Sequence, residues 1–306
     1  MKHYHTPVMV DEVLAALQVK ADGKYIDCTA GEGGHSLAIL QAATPAPRVL
    51  SIDIDGEALE TAAERTRGYG DNSTIRQANY SEVAQVAAET GFMNADGLLL
   101  DLGLSSLQLD KGERGFSFRH EAPLDMRFDK SQGITADTIV NRYDEQELAD
   151  IIYRYGEERR SRRIARTIVR SRPVRTTTQL ADIVLSAVGR QRGRINPATR
   201  TFQAIRIAVN DELGNVQRGL DAAVDTLDVA GRLVVITYHS IEDRIVKNAI
   251  RHMASNCICP PSVPQCACDK EPTVRIINRR VIRPSNEEVR ANPRSRSARI
   301  RIAERL

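Results

Sequence analysis

Over the first hundred residues, short apolar runs alternate with segments whose apolar residues recur every three or four positions. This is the rhythm of βαβ units laid on a parallel sheet. Residues 24–28 (KYIDC) predict a first strand, and residues 36–42 the helix that follows it. Residues 49–52 predict a second strand running out at Asp53-Ile54-Asp55, then a helix over 56–67 with Ala58, Leu59, Ala62 and Ala63 on one side. Residues 73–77 and 97–100 predict strands three and four around a helix at 81–89, and the fourth strand ends at Asp101.

After Asp101 the pattern turns to a polar loop bearing Gly and Arg, to about residue 129, and then to helical spacing. Asp144 with Glu147 three residues on is a capping box, opening a helix that places Leu148, Ile151, Ile152 and Tyr155 on one face. Ile164, Ile168 and Val169 continue helical spacing, and Thr178 is placed to cap a helix over 179–188. Asn196-Pro197 supplies a cap and a first-turn proline for a long helix to about residue 227, with Phe202, Ile205, Val209, Leu213, Val216, Leu220, Val224 and Leu227 at steps of three or four. Strand character returns at 231–237 (GRLVVIT), followed by a helix over 242–253 and two alternating segments, 274–277 and 298–302, expected as antiparallel strands finishing the sheet. The predicted fold class is α/β: one doubly wound domain from residues 1–108 and 212–306, with a mainly helical module, 109–211, inserted after strand four.

Composition narrows the picture. At 306 residues and 42% hydrophobic the chain can bury a sizeable core, which excludes a disordered tail protein. No run approaches the ~18 apolar residues of a membrane helix, and the first residues lack the basic start and apolar stretch of a secretory signal. A cytoplasmic protein without a membrane partner is expected. The net charge of +3 hides an asymmetry: residues 1–110 carry seven basic and sixteen acidic side chains, residues 151–210 fourteen basic and three acidic. Between positions 154 and 175 nine of 22 residues are arginine and none is lysine. Guanidinium forks bind phosphates bidentately and stack on bases, so this segment, with Arg159, Arg160, Arg162, Arg163 and Arg166 at its centre, is the candidate nucleic-acid contact. The alternative is a solvated, salt-bridged helix face, although Glu157 and Glu158 could neutralise only a small part of it.

The turn after the first strand, Thr29-Ala30-Gly31-Glu32-Gly33-Gly34-His35, puts glycines where backbone must turn sharply beside a ligand, and it feeds a helix start that favours an anion. A dinucleotide fingerprint would ask for glycine at position 36, where Ser36 stands. Asp53 and Asp55, ending the second strand, are candidates for ribose hydroxyls, with one of them free to cap the next helix instead. Asp101 would stand in the same crevice, and His239 and Ser240 would approach it from the fifth strand. Cys257, Cys259, Cys266 and Cys268 form C-x-C-x6-C-x-C in a proline-rich loop, a candidate structural zinc site or a set of reduced thiols. Cys28 reads as a small core residue.

Taken in order, GEGGHS (31–36), DLGLSSLQLD (101–110), RGFSFR (114–119), PLDMR (123–127), YGEER (155–159), ATRTFQAIRIAVNDEL (198–213), HSIEDRIVK (239–247) and NPRSRSARIR (292–301) resemble the bacterial MraW/RsmH family nearly end to end. The resemblance implies a class I (Rossmann-like) methyltransferase sheet with an inserted substrate-recognition domain. It also implies S-adenosylmethionine-dependent methylation of a cytidine N4 in 16S ribosomal RNA, at the decoding centre. The implied partner is the RNA or the assembled small subunit, with oligomeric state left open between monomer and dimer. Carried over by position, it places the methyl donor on Gly33, Gly34, His35, Asp53, Tyr80, Asp101 and Gln108. Tyr80 stands where the family often has Phe, and Leu107 where proline is common.

Many amino methyltransferases carry a Pro-Pro-aromatic loop after strand four to hold the amine. Here the chain reads Asp101-Leu102-Gly103-Leu104-Ser105-Ser106. The candidate acceptors for the amine protons are therefore Asp101 and the backbone of 102–105, with His239 and Asn210 as further candidates. The missing loop argues against a DNA amino methyltransferase, and Ser36 against a dehydrogenase. An assembly factor without turnover is free to lose the glycine loop and the two acids, which are present.

Overall fold

The computed structural model describes residues 6–103, 112–131, 133–189, 196–260 and 268–306. Residues 1–103 with 213–306 form one compact unit, and 104–212 form a second.

The first unit is built on seven strands: β1 (Lys24–Asp27), β2 (Arg48–Asp53), β3 (Ser73–Gln77), β4 (Ala95–Asp101), β5 (Leu227–Thr237), β6 (Val274–Ile276) and β7 (Arg299–Arg305), in the order β3-β2-β1-β4-β5-β7-β6. The first five pair in parallel, and β7 is antiparallel to both β5 and β6. This is the class I methyltransferase sheet. The two closing strands are present and both closing pairings are antiparallel, β7 against β5 and β6 against β7, which leaves β6 running in the direction of the parallel set.

Alternation along the strands divides the core between the two faces of the sheet. Ile26, Leu50, Leu98, Leu100, Leu233 and Val235 point into one layer; Tyr25, Val49, Leu99, Val234 and Ile236 point into the other. A parallel sheet buried on both faces needs continuous apolar strands of this kind, each such side chain contributing about 1.5–3 kcal/mol. Helices α1 (Val10–Leu17), α2 (Gly34–Gln41), α3 (Gly56–Thr66) and α4 (Val83–Thr90) belong to this unit. The chain moves outward from β1 to β2 and β3, then returns to β4 beside β1. That reversal opens a crevice outside the carboxyl ends of β1 and β4, the usual ligand position in such sheets.

The second unit packs α5 (Ala136–Arg142), α6 (Glu145–Gly156), α7 (Ser161–Arg170), α8 (Thr177–Val188) and α9 (Ala198–Asn210) around one core that includes Leu148, Ile152, Ile164, Ile168, Leu180, Val184, Phe202 and Ile205. The Asp144 capping box forms: its Oδ1 accepts from the Glu147 N–H at 2.7 Å and its own N–H donates to Glu147 Oε2 at 3.0 Å. At α8 the cap is Thr176, whose Oγ1 accepts from the Gln179 N–H at 3.3 Å, so the expected cap at Thr178 is two residues late. The predicted long helix to residue 227 is broken. Asp211, left-handed at φ 45°, ends α9, a new helix α10 (Glu212–Thr226) begins at once, and Leu227 already belongs to β5. Helix α11 (Ser240–Met253) follows β5. Among the described residues no helix is long and apolar enough to cross a membrane.

Candidate active site

Three strand ends and one turn build the site. The turn between β1 and α2 bends at Gly31 (φ 51°) and Gly33 (φ 76°), conformations that L side chains rarely adopt. A Cβ at Gly33 would also come within 2.9 Å of Ala62 Cα on α3, so glycine lets the turn lie against that helix. Beneath it, buried Asp27 accepts from Ser36 Oγ at 2.7 Å, and Ser36 in turn accepts from Ser51 Oγ at 2.8 Å. Position 36, where a dinucleotide site would have glycine, is thus a serine pinning α2 to the end of β1. Burial raises the Asp27 carboxyl above its ordinary value, against the lowering effect of His35 and Ser36.

Asp53, at the end of β2, accepts from the Gly31 N–H at 2.7 Å and from the Asp55 N–H at 2.9 Å. It fixes the glycine turn from below. Burial lifts its carboxyl to about 6, only partly offset by those two hydrogen bonds. Asp55, the other acid considered for ribose, caps α3 by accepting from the Glu57 N–H at 3.2 Å.

Asp101 ends β4, and its own N–H donates to Thr29 Oγ1 at 2.7 Å, which ties the strand end to the glycine turn. Its Oδ2 lies 3.5 Å from His35 Nε2 in the first turn of α2. Tyr238, the residue after β5, stands beside the Asp101 carboxylate, and burial together with that negative charge pushes its phenol well above the ordinary value. Asp101 Oδ1 and both ring nitrogens of His35 are buried and have no hydrogen-bond partner among the described residues. Buried polar atoms left in this state cost about 1–3 kcal/mol each, so they are groups poised for a ligand.

Tyr80 sits in the short 3₁₀ turn Tyr80–Glu82 after β3, with its ring against the backbone of α10. A Cβ at Gly219 would fall 2.6 Å from Tyr80 Cδ2. Gly34 opens α2 beside Pro7. Gln108 and the backbone of 104–105 lie outside the described residues.

The two further candidates have other commitments. His239 is the N-cap of α11: its Nδ1 accepts from the Glu242 N–H at 3.3 Å, and its Nε2 lies 2.9 Å from Glu242 Oε1. Asn210, in the second unit, accepts from the Phe128 N–H at 2.8 Å and donates Nδ2 to the carbonyls of Met126 at 2.8 Å and Arg206 at 2.9 Å. It brackets the 126–128 segment onto α9.

The sequence assigns Asp27, Thr29 and Tyr238 no role around Asp101. Tyr238 adjoins His239, but strand periodicity does not say which of two neighbours at a strand end turns toward the crevice.

Residues 2–306 match the MraW methylase family. The chain belongs to that family. Its sequence is 52% identical, over all 306 residues and 88% of the relative's length, to ribosomal RNA small subunit methyltransferase H of Dehalococcoides mccartyi. It is 48% identical to the protein of the same name from Symbiobacterium thermophilum, across 100% of this chain and 98% of that one. As an MraW methylase it is a methyltransferase, and S-adenosylmethionine is its methyl donor. The site fits that donor: a glycine turn with free helix-start N–H groups suits a carboxylate, and the unpartnered atoms of His35 and Asp101 stand in the same crevice.

On the second unit, the arginine segment maps to α7 and the turn before it. Arg159, Arg162 and Arg163 are exposed. Arg160 donates Nη1 to the Val188 carbonyl at 2.6 Å, and Arg166 pairs with Glu145 at 3.2 Å. These two are partly occupied in holding α7 to its neighbours.

Proposed function

We propose that this chain methylates the exocyclic N4 of a cytidine in 16S ribosomal RNA of the small subunit, at the decoding centre. The observation that carries the reading is the Asp101 carboxylate, held at the crevice with one oxygen unpartnered among the described residues. The names of the relatives and the arginine-rich second unit support the RNA substrate.

The donor supplies a methyl group already activated on a sulfonium. Everything else falls to the protein. A cytosine N4 lone pair is delocalised into the ring, so the amine is a poor nucleophile and must be aligned with the methyl. As the N–C bond forms the methyl–sulfur bond would break, its electron pair leaving on sulfur as a neutral thioether, and the nitrogen gains positive character and must lose one proton. Asp101 Oδ1 takes that proton or hydrogen-bonds the amine while water takes it, a placed negative charge where positive charge develops. Tyr238 and His35 hold the carboxylate in position from either side. Gly33, Gly34 and His35 receive the donor's carboxylate end, Asp53 its ribose, and Tyr80 and Gln108 complete the donor site. His239 and Asn210 act as positioning residues, the first setting the start of α11 and the second anchoring the 126–128 segment.

Arg159, Arg162 and Arg163 meet RNA phosphates, with Arg160 and Arg166 helping through their remaining nitrogens. A paired base would have to be flipped out, so a single-stranded or locally opened site is the cheaper substrate. The test is transfer of labelled methyl from S-adenosylmethionine to small subunits lacking the modification, with naked RNA and DNA in parallel. Label on ribosomal RNA and none on DNA supports the reading. Equal labelling of DNA, or none on any acceptor while the donor still binds, would sink it.

A further inference from the structure

The connection between α11 and β6 carries chemistry that methyl transfer does not use. The Sγ atoms of Cys257, Cys259 and Cys268 lie within 4.8 Å of one another, although eleven positions separate the first from the last. None of the three is in a disulfide. The Ile258 N–H points at Cys268 Sγ at 3.4 Å, a backbone amide directed at sulfur between two cysteines of the set. Such an amide stabilises a thiolate more than a thiol, because it offers a donor to the charged form.

We propose that Cys257, Cys259 and Cys268 bind a zinc ion in a structural site. Tetrahedral zinc at about 2.3 Å from each sulfur sets the sulfurs roughly 3.8 Å apart, inside the 4.8 Å within which the three atoms lie. Cys259 and Cys268 are half-buried and Cys257 is exposed, so the ion can enter from solvent. Binding is not a redox step: each thiol gives its proton to solvent as its Zn–S bond forms. The sequence offers Cys266 as a fourth ligand; it lies outside the described residues.

The site has mechanical sense. Cys257 follows the end of α11 by four residues and Cys268 precedes β6 by six, so the metal closes a long connection whose ends are already tied by hydrogen bonds. One of these is the Thr273 N–H, which donates to the Met253 carbonyl at 2.9 Å. β6 is a three-residue edge strand, paired on one side only, and a closed connection fixes where it begins. The soft thiolate set selects zinc over magnesium or calcium.

The experiment uses the full chain, expressed with zinc in the medium and purified without chelator under reducing conditions. Elemental analysis is expected to find about one zinc per chain, falling at least about fivefold in Cys257→Ser and in Cys259→Ser. As a readout independent of those variants' folding, wild-type protein exchanged with Co(II) should show the intense thiolate-to-cobalt absorption of sulfur ligation. Zinc below about a tenth of an equivalent with no such absorption would overturn the proposal, as would a disulfide between any two of the three in protein isolated without reductant.

Discussion

Asp53 and Asp101 are both strand-end carboxylates, yet their surroundings give them different work. Asp53 spends both oxygens on backbone N–H groups and titrates at about 6. Donor affinity should therefore fall about tenfold as the pH drops from neutral to one unit below that value, because the neutral acid is the poorer acceptor. Titration calorimetry at several pH values would check this, with Asp53→Asn binding more weakly and without the step. Unfolding cannot mimic the effect. A carboxyl raised in the folded state adds stability below the ordinary carboxylate range and loses it as pH rises through 6, the opposite direction. Asp101 keeps one buried oxygen without a described partner, and Asp101→Ala is expected to lower kcat by about 10²–10³-fold while the fold survives. Turnover within a few-fold of wild type would remove Asp101 from the chemistry. Both acids were legible in the sequence because each ends an apolar strand. Tyr238 and Thr29 were not, since neither ends in a motif and only the assembled strand ends bring them to Asp101.

At the scale of elements, Tyr80 depends on α10. Gly219→Ala would drive a methyl into the Tyr80 ring, and the expected result is a raised KM for the donor, about tenfold, with kcat less changed. An unchanged KM would mean that the ring is not part of the donor site. On α7, replacing Arg159, Arg162 and Arg163 together should weaken RNA binding and make the salt dependence shallower by about 2 in log–log slope, the release expected for three single-strand phosphate contacts. Filter binding across a salt series measures it. Strands were legible because a sheet buried on both faces demands unbroken apolar runs. Helix ends were less so: Thr176 and Thr178 are equivalent as caps by type, and the break at Asp211 leaves the spacing of three and four nearly undisturbed on either side.

For the whole molecule, the charge pattern and the two compact units tell one story. The acidic first hundred residues supply most of the parallel strands and the residues proposed for the donor, while the arginine-rich segment belongs to a helical unit with its own core. That organisation was legible from the change of period after Asp101 alone. The acceptor atom was not, because the loop after β4 lacks the Pro-Pro-aromatic signature that would have named an amine. The most direct measurement is mass spectrometry of nucleosides released from small-subunit RNA after one round of methylation. N4-methylcytidine at a single position is the result this account predicts. A methyl group on ring carbon, on ribose or on another base would contradict it.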